Sequence, residues 1–389
     1  MSQERPIRVR SIDGLRAITM LLMIWVNDFS TLTGVSKWLK HAPSGANFIG
    51  FSDLIFPVFL FVVGLSIPFS IMARDNANYS RSSTYFHIAM RTCWLLVIGV
   101  FIVNYENASN DMPVFNQAWW SIFMTLGVFM IWMDWQASPV PEKWHKPIQV
   151  IGVVLLIFLA VAYRGGEDAT VRFSTLWWGI LGLIGWAYLA NAMVAMIFGT
   201  KLLSHGLAFV VFYVLTILNF AGPLSTIPFP FTFAGTIIQG YIPAFTSAGL
   251  VTAVLVINLK TRPLYLLSAI VAFALINIVF GLAIKPYYWM VYKLAVSNAF
   301  SILAFAIMYF LVEVRKYTNW YKAIGAAGSA TLTCYMLPYI FYPLRTITGW
   351  RLPDVLNTGL LGLIGSLCFA FIIVFITHIA KKRGFKLKL

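Results

Sequence analysis

Apolar residues run along this chain in stretches of roughly 17–25, the length a helix needs to cross ~30 Å of hydrocarbon, with short polar or Pro/Gly-containing pieces between them. The pattern predicts spans over 14–33, 53–72, 86–103, 117–135, 147–163, 175–198, 203–220, 235–259, 263–284, 296–314, 328–346 and 356–380. The piece AGPLSTIPFPFTFAGT (221–236) also fits a re-entrant or interfacial segment, so the expected architecture is an all-α polytopic membrane bundle of about 10–12 transmembrane helices.

Composition agrees: 60% of the 389 residues are hydrophobic and 11% charged, against ~25% charged in an ordinary soluble domain. Cytoplasmic loops retain Lys and Arg, and sorting these residues by alternate loops sets the orientation. With Arg16 and Arg91 inside spans, the N-terminal side holds 18, including Arg5, Arg8, Arg10, Arg74, Arg81 and the tail KKRGFKLKL, against 8 opposite. Both termini are therefore expected in the cytoplasm. The net charge of +15 is spread over short loops, which fits topology and anionic membrane lipid and excludes a nucleic-acid face. Cys93, Cys334 and Cys368 fall inside spans with no metal-type spacing, and no metal site is expected. The first run lacks a cleavage site, so no signal peptide is expected and 1–389 reads as a single transmembrane domain.

The first span carries a polar stripe. Asp13 is a natural N-cap residue, and Arg16 and Asn27, eleven residues apart, share a helix face about 16 Å apart along the axis. Charge inside a membrane costs at least ~2.5 kcal/mol by insertion scales. The stripe therefore belongs against protein or water rather than lipid. Beyond Asn27 and Asp28 the chain surfaces, passes His41 in WLKHAPSG, and re-enters at FSDLIFPVFLFVVGLSIPF with Ser52 or Asp53 as cap. A neutral imidazole beside carboxylates can accept a proton from a nucleophile or attack an acyl group itself, and a carboxylate on its other nitrogen fixes the tautomer. Asp28 and Asp53 are both candidates for that partner. His87, His145, His205 and His378 lack a neighbouring carboxylate in sequence.

The segments RSIDGLRAITMLLMIWVND (10–28), His41 and SDLIFPVFLFVVGLSIPF (52–69) together resemble the heparan-α-glucosaminide N-acetyltransferase family of transmembrane acyltransferases, with the closest match over 8–70. Later echoes are looser: WGILGLIGWAYL (178–189) has Gly182 and Leu183 in place of Gln and Arg, GSATLTCY (328–335) has Ala330 in place of Asn, and Ala17 replaces a glycine. The resemblance implies acetyl transfer from cytoplasmic acetyl-CoA to an amino sugar on the far side. It places His41 at the position of the family's essential histidine and Asn27 at its partner asparagine.

On that footing His41 is a general base or transient acetyl carrier, Asn27 an amide donor, and Asp28 or Asp53 orients the imidazole. Arg16 and Arg91, with Arg10 and Arg81, are candidates for the coenzyme A phosphates. Lys293 and Trp289, in KPYYWMVYKLAVSNAF (285–300), are candidates for the acceptor, although aromatics also gather at membrane interfaces. A secondary transporter is the rival class; it calls for buried polar residues such as Asn191, Gln239, Asn277 and Asn298 near the bilayer midplane and a broken helix at the site. A non-catalytic descendant of the family is a third reading. The short external loops favour a small amino sugar or glycan end as acceptor. A bacterial inner membrane is the default location, and the oligomeric state stays open, a homodimer included.

Overall fold

The computed structural model describes residues 9–110, 112, 114–224, 232–351 and 353–388. Arg5 and Arg8, and residues 225–231 of the segment read as re-entrant or interfacial, lie outside the described residues. In chain order the helices are α1 (Arg10–Phe29), α2 (Phe51–Asn76), α3 (Arg81–Glu106), α4 (Gln117–Trp132), α5 (His145–Ala162), α6 (Gly179–Phe198) and α7 (Leu202–Phe220). They continue with a short α8 (Thr232–Ile238), α9 (Tyr241–Leu259), α10 (Pro263–Ile284), α11 (Trp289–Tyr309), α12 (Gly325–Ser329), α13 (Thr331–Met336), α14 (Pro338–Thr348) and α15 (Gly359–Lys382). Among the described residues extended pairing is limited to isolated bridges. Nine helices there are long and apolar enough to cross a membrane, so the chain is a polytopic membrane helix bundle.

Several boundaries differ from the hydropathy pattern for identifiable reasons. α1 starts a turn earlier than an Asp13 cap requires, because the Ser11 N–H donates to Glu313 Oε1 at 3.0 Å. Asp13 therefore sits within the first turn instead of capping it. α1 is not among the nine, since Asp13, Arg16 and Asp28 interrupt its apolar face, and α4 has 16 residues. The span expected over 328–346 is broken: Lys322–Ser329 and Thr331–Thr348 qualify together but bend by 87°. The span expected over 235–259 begins at Tyr241, after α8.

The chain divides into two compact units. The first comprises Met1–Thr19, Ser36–Cys93 and Leu183–Tyr321; the second comprises Met20–Val35, Trp94–Gly182 and Lys322–Leu389.

In the first unit α2 and α9 approach backbone to backbone. A Cβ on Gly64 would fall on the Thr246 carbonyl oxygen, and one on Gly249 on the Phe61 carbonyl oxygen. Only glycine permits this spacing. In lipid, where water exclusion does not drive association between helices, such close packing is what holds them. Phe61, Leu65, Ile270, Ile302 and Phe305 complete a fully buried core around the crossing. Polar ties add direction: the Tyr213 hydroxyl donates to Asn277 Oδ1 at 2.7 Å and Asn298 Nδ2 donates to the Tyr213 oxygen at 2.9 Å, linking α7, α10 and α11.

The second unit is tied by side-chain to backbone bonds. Trp120 Nε1 donates to the Leu159 carbonyl at 3.1 Å, Asn104 Nδ2 to the Ser174 carbonyl at 2.7 Å, and Ser121 Oγ to the Tyr339 carbonyl at 2.8 Å. Its C-terminal strap folds back: the Leu387 N–H donates to Thr333 Oγ1 at 2.8 Å, and the Lys388 N–H to the Trp132 carbonyl at 2.8 Å. Leu387 is buried there.

Candidate functional site

The loop before α2 is stitched to the helix start by donors that an α-helix leaves unsatisfied in its first turn. The Phe51 N–H donates to the Trp38 carbonyl at 2.7 Å and the Ser52 N–H to the Leu39 carbonyl at 3.1 Å. Ser52 Oγ donates to the same Leu39 carbonyl at 2.6 Å. Gly50 is the N-cap, and a Cβ on it would fall on the Lys40 carbonyl oxygen. Asp53, three residues into the helix, reaches back as the carboxylate half of a capping box. Its Oδ2 accepts from the Gly50 N–H at 3.0 Å and the Ala42 N–H at 3.1 Å.

That arrangement leaves Asp53 Oδ1 for His41, whose Nδ1 lies 2.9 Å away. The imidazole side chain is 56% exposed and the carboxylate 15%. A proton on Nδ1, held by the carboxylate, leaves the Nε2 lone pair free, and Nε2 makes no hydrogen bond among the described residues. Lys293 Nζ stands 4.0 Å from Asp53 Oδ2, its side chain 20% exposed. Loop, α2 and α11 therefore bring His41, Asp53 and Lys293 together within the first unit. Asp53 is a positioning residue, since it acts through the imidazole.

Asn27 and Asp28 belong to the second unit. Asn27 is exposed near the end of α1, and its side-chain amide makes no hydrogen bond among the described residues. Asp28 Oδ1 accepts from the Tyr342 hydroxyl at 2.7 Å. Of the two carboxylates that flank the loop, Asp53 is the one the structure places on His41.

A basic cluster lies deeper in the first unit. Arg16 donates to Ser66 Oγ and lies 3.8 Å from Asp13. Arg91 stacks over the Tyr188 ring at 4.9 Å, is close enough to Arg16 for their charges to repel, and keeps Nε buried without an acceptor. Arg74 donates to Ser83 Oγ at 3.0 Å, and its charge reaches His87 together with that of Arg91. Three guanidinium groups with Asp13 as the adjacent acid leave surplus positive charge and an unspent donor, which suits phosphate oxygens. Arg10 is exposed at the start of α1, and Arg81 donates to the Met196 carbonyl at 2.9 Å near the end of α6. Along α2, Ser66 is 13 residues from Asp53, about 20 Å.

Trp289 opens α11 one turn before Lys293, packs on Tyr292 at 5.0 Å between ring centroids, and has Lys285 Nζ over its ring at 5.8 Å. Sequence reasoning did not single out Ser66, Tyr188, Gly50 or the Ala42 amide. A glycine followed three residues later by Asp at a helix start is a readable capping signal; the other three carry none.

Fold and site together define a polytopic helical membrane protein with an exposed histidine held by a half-buried carboxylate at a span entrance. The chain belongs to the family described as Domain of unknown function (DUF5009), which it matches over residues 8–234. It is also similar to the heparan-alpha-glucosaminide N-acetyltransferase of Homo sapiens, 37% identical over 100 residues, and to that of Mus musculus, 33% identical over 97 residues. Each match covers 25% of this chain and 14% of the relative, so the relationship is distant and spans a small part of those proteins.

Proposed function

We propose that the chain is a membrane acyltransferase that moves an acetyl group from acetyl-CoA to the amine of a glucosamine-type sugar. The observation that carries this reading is the 2.9 Å pairing of His41 Nδ1 with Asp53 Oδ1, which leaves Nε2 free on an exposed ring. The distant relationship to proteins named as N-acetyltransferases supports it.

In direct transfer, Nε2 takes a proton from the acceptor amine as its nitrogen bonds to the thioester carbonyl carbon. The C–S bond then breaks, and the departing sulfur takes up the proton from the imidazolium. In the stepwise route Nε2 itself attacks the carbonyl and the C–S bond breaks to expel the thiolate; the amine then attacks the acetyl carbon, the bond to the imidazole breaks, and the freed Nε2 takes the amine's proton, balancing the released thiolate. The first needs both substrates bound together; the second gives ping-pong kinetics. Asp53 holds the imidazole and stabilises its charged form in either case. Arg16 and Arg91 are the groups proposed to bind the donor's phosphates, which requires an arm of about 20 Å between phosphate and thioester along α2. The amide-donor role of Asn27 rests on the resemblance of its sequence segment alone. The charge bias supports an orientation with the arginine end facing the cytoplasm, and a bacterial inner membrane is the location proposed by default.

Purified protein in detergent is expected to transfer label from acetyl-CoA to glucosamine, and His41→Ala to lose that transfer while keeping its melting temperature. Absence of both transfer and acetyl-CoA binding across a panel of amino sugars would overturn the proposal. Secondary transport is the second reading, because the 87° break between Lys322–Ser329 and Thr331–Thr348 is the kind of broken span transporters use. Glucosamine uptake by proteoliposomes without acetyl-CoA would favour it.

A further inference from the structure

We infer that the C-terminal strap is a binding surface for anionic phospholipid, and that lipid phosphates seated beside it hold the strap against the second unit. The inference rests on the membrane-spanning fold and is independent of the acyltransferase reading. α15 is among the helices long and apolar enough to cross a membrane, and it ends at Lys382, so the residues that follow lie where lipid headgroups begin. The chain turns at Gly384, which sits in the left-handed region (φ +82°) and whose Cβ would fall on the Ala137 carbonyl oxygen. It then runs along the loop that leaves α4. There the Asp134 N–H donates to the Lys386 carbonyl at 2.6 Å, beside the bonds from the Leu387 and Lys388 N–H groups. Pinned in this way, the strap buries Leu387 and turns Phe385 outward, 40% exposed.

Charge gathers on the outward side. Lys388 is paired with Asp134, 3.5 Å apart. Lys382 and Arg383 at the end of α15, and Lys143 and Lys146 where the α4–α5 loop enters α5, are exposed. The side chains of these four make neither hydrogen bond nor ion pair among the described residues. Against them the stretches 135–146 and 381–389 hold one acid, Glu142. Trp144, 53% exposed, stands among the cations of the loop as Phe385 does among those of the strap. Basic residues directly after a span take anionic headgroups, and aromatic rings settle at the boundary between headgroup and acyl chain. A soluble polyanion would satisfy the cations but leave both rings in water, whereas a lipid leaflet accommodates both.

The test places the protein in nanodiscs of phosphatidylcholine alone, or mixed with phosphatidylglycerol, and reads amide exchange at Leu387 and Lys388. A ligand that binds only the pinned strap slows its opening. Exchange is expected to be about tenfold slower in the anionic discs, and the difference to vanish at high salt. It is also expected to vanish in Lys382→Gln/Arg383→Gln and to persist in Lys260→Gln/Arg262→Gln, which removes two exposed cations from the loop before α10. Native mass spectrometry gives a second readout: the wild type retains phosphatidylglycerol over phosphatidylcholine, and the strap variant shows no preference. Equal exchange in the two kinds of disc would overturn the inference. So would an equal loss in the Lys260/Arg262 variant, which would mark diffuse attraction to the leaflet. The same slowing by inorganic phosphate or an acidic peptide in neutral discs would make the occupant a soluble anion and overturn the lipid assignment. The salt and disc comparisons use the wild type, so they decide the matter even where the strap variant fails to fold.

Discussion

At the scale of single residues, His41 depends on Asp53, and the dependence is measurable. Asp53→Asn keeps the size of the side chain but cannot hold an imidazolium, so kcat is expected to fall on the order of 10²–10⁴-fold with acceptor KM little changed. The second residue-scale prediction concerns the donor. Arg91→Gln removes the guanidinium group whose charge reaches Arg16, and KM for acetyl-CoA is expected to rise about tenfold, the effect of one charge-assisted hydrogen bond. Steady-state kinetics in both substrates check the two together, since only the second change moves the donor KM. His41 and both loop carboxylates were legible in the sequence because they lie within a few turns of one another. Which carboxylate pairs with His41 was not, because Asp28 is claimed by Tyr342, a partner 314 positions away that no local window connects to it.

At the scale of elements, glycine placement governs the α2–α9 crossing. Gly249→Val puts a branched side chain where the Phe61 carbonyl oxygen sits, and neither backbone can yield without unpacking the core around Phe305. The expected outcome is loss of a monodisperse peak in detergent gel filtration. The same change at Gly206, whose Cβ would meet nothing, is expected to leave the profile intact. Hydropathy found the spans because apolar length is a local property. It missed the start of α1, which is fixed by Glu313, 302 residues on. It also missed the break at Ala330, where the backbone turns out of the helix (φ −132°, ψ 47°) well before Pro338, the first proline of that expected span.

At the scale of the whole molecule, each compact unit is assembled from three separated stretches of chain, so no cut of the sequence into halves reproduces either. A pattern read along the chain sees one continuous membrane domain for this reason: every stretch is equally apolar, and only contacts between distant stretches mark the units. The strap makes one such contact testable. Leu387→Asp forces a carboxylate into a buried position beside Thr333, and the melting temperature is expected to fall by several degrees, an effect of about 2 kcal/mol or more, with faster amide exchange at Asp134 and Lys388, which bond across the strap to the Lys386 and Trp132 carbonyls. Heat should reveal something different at the span entrance. Because the carboxylate that closes the first turn of α2 is also the one that holds His41, fraying of that turn and release of the imidazole are a single event. Helix ends open before cores do. Catalysis should therefore fade reversibly on warming while the bundle is still folded, so that turnover becomes a thermometer for one helix end.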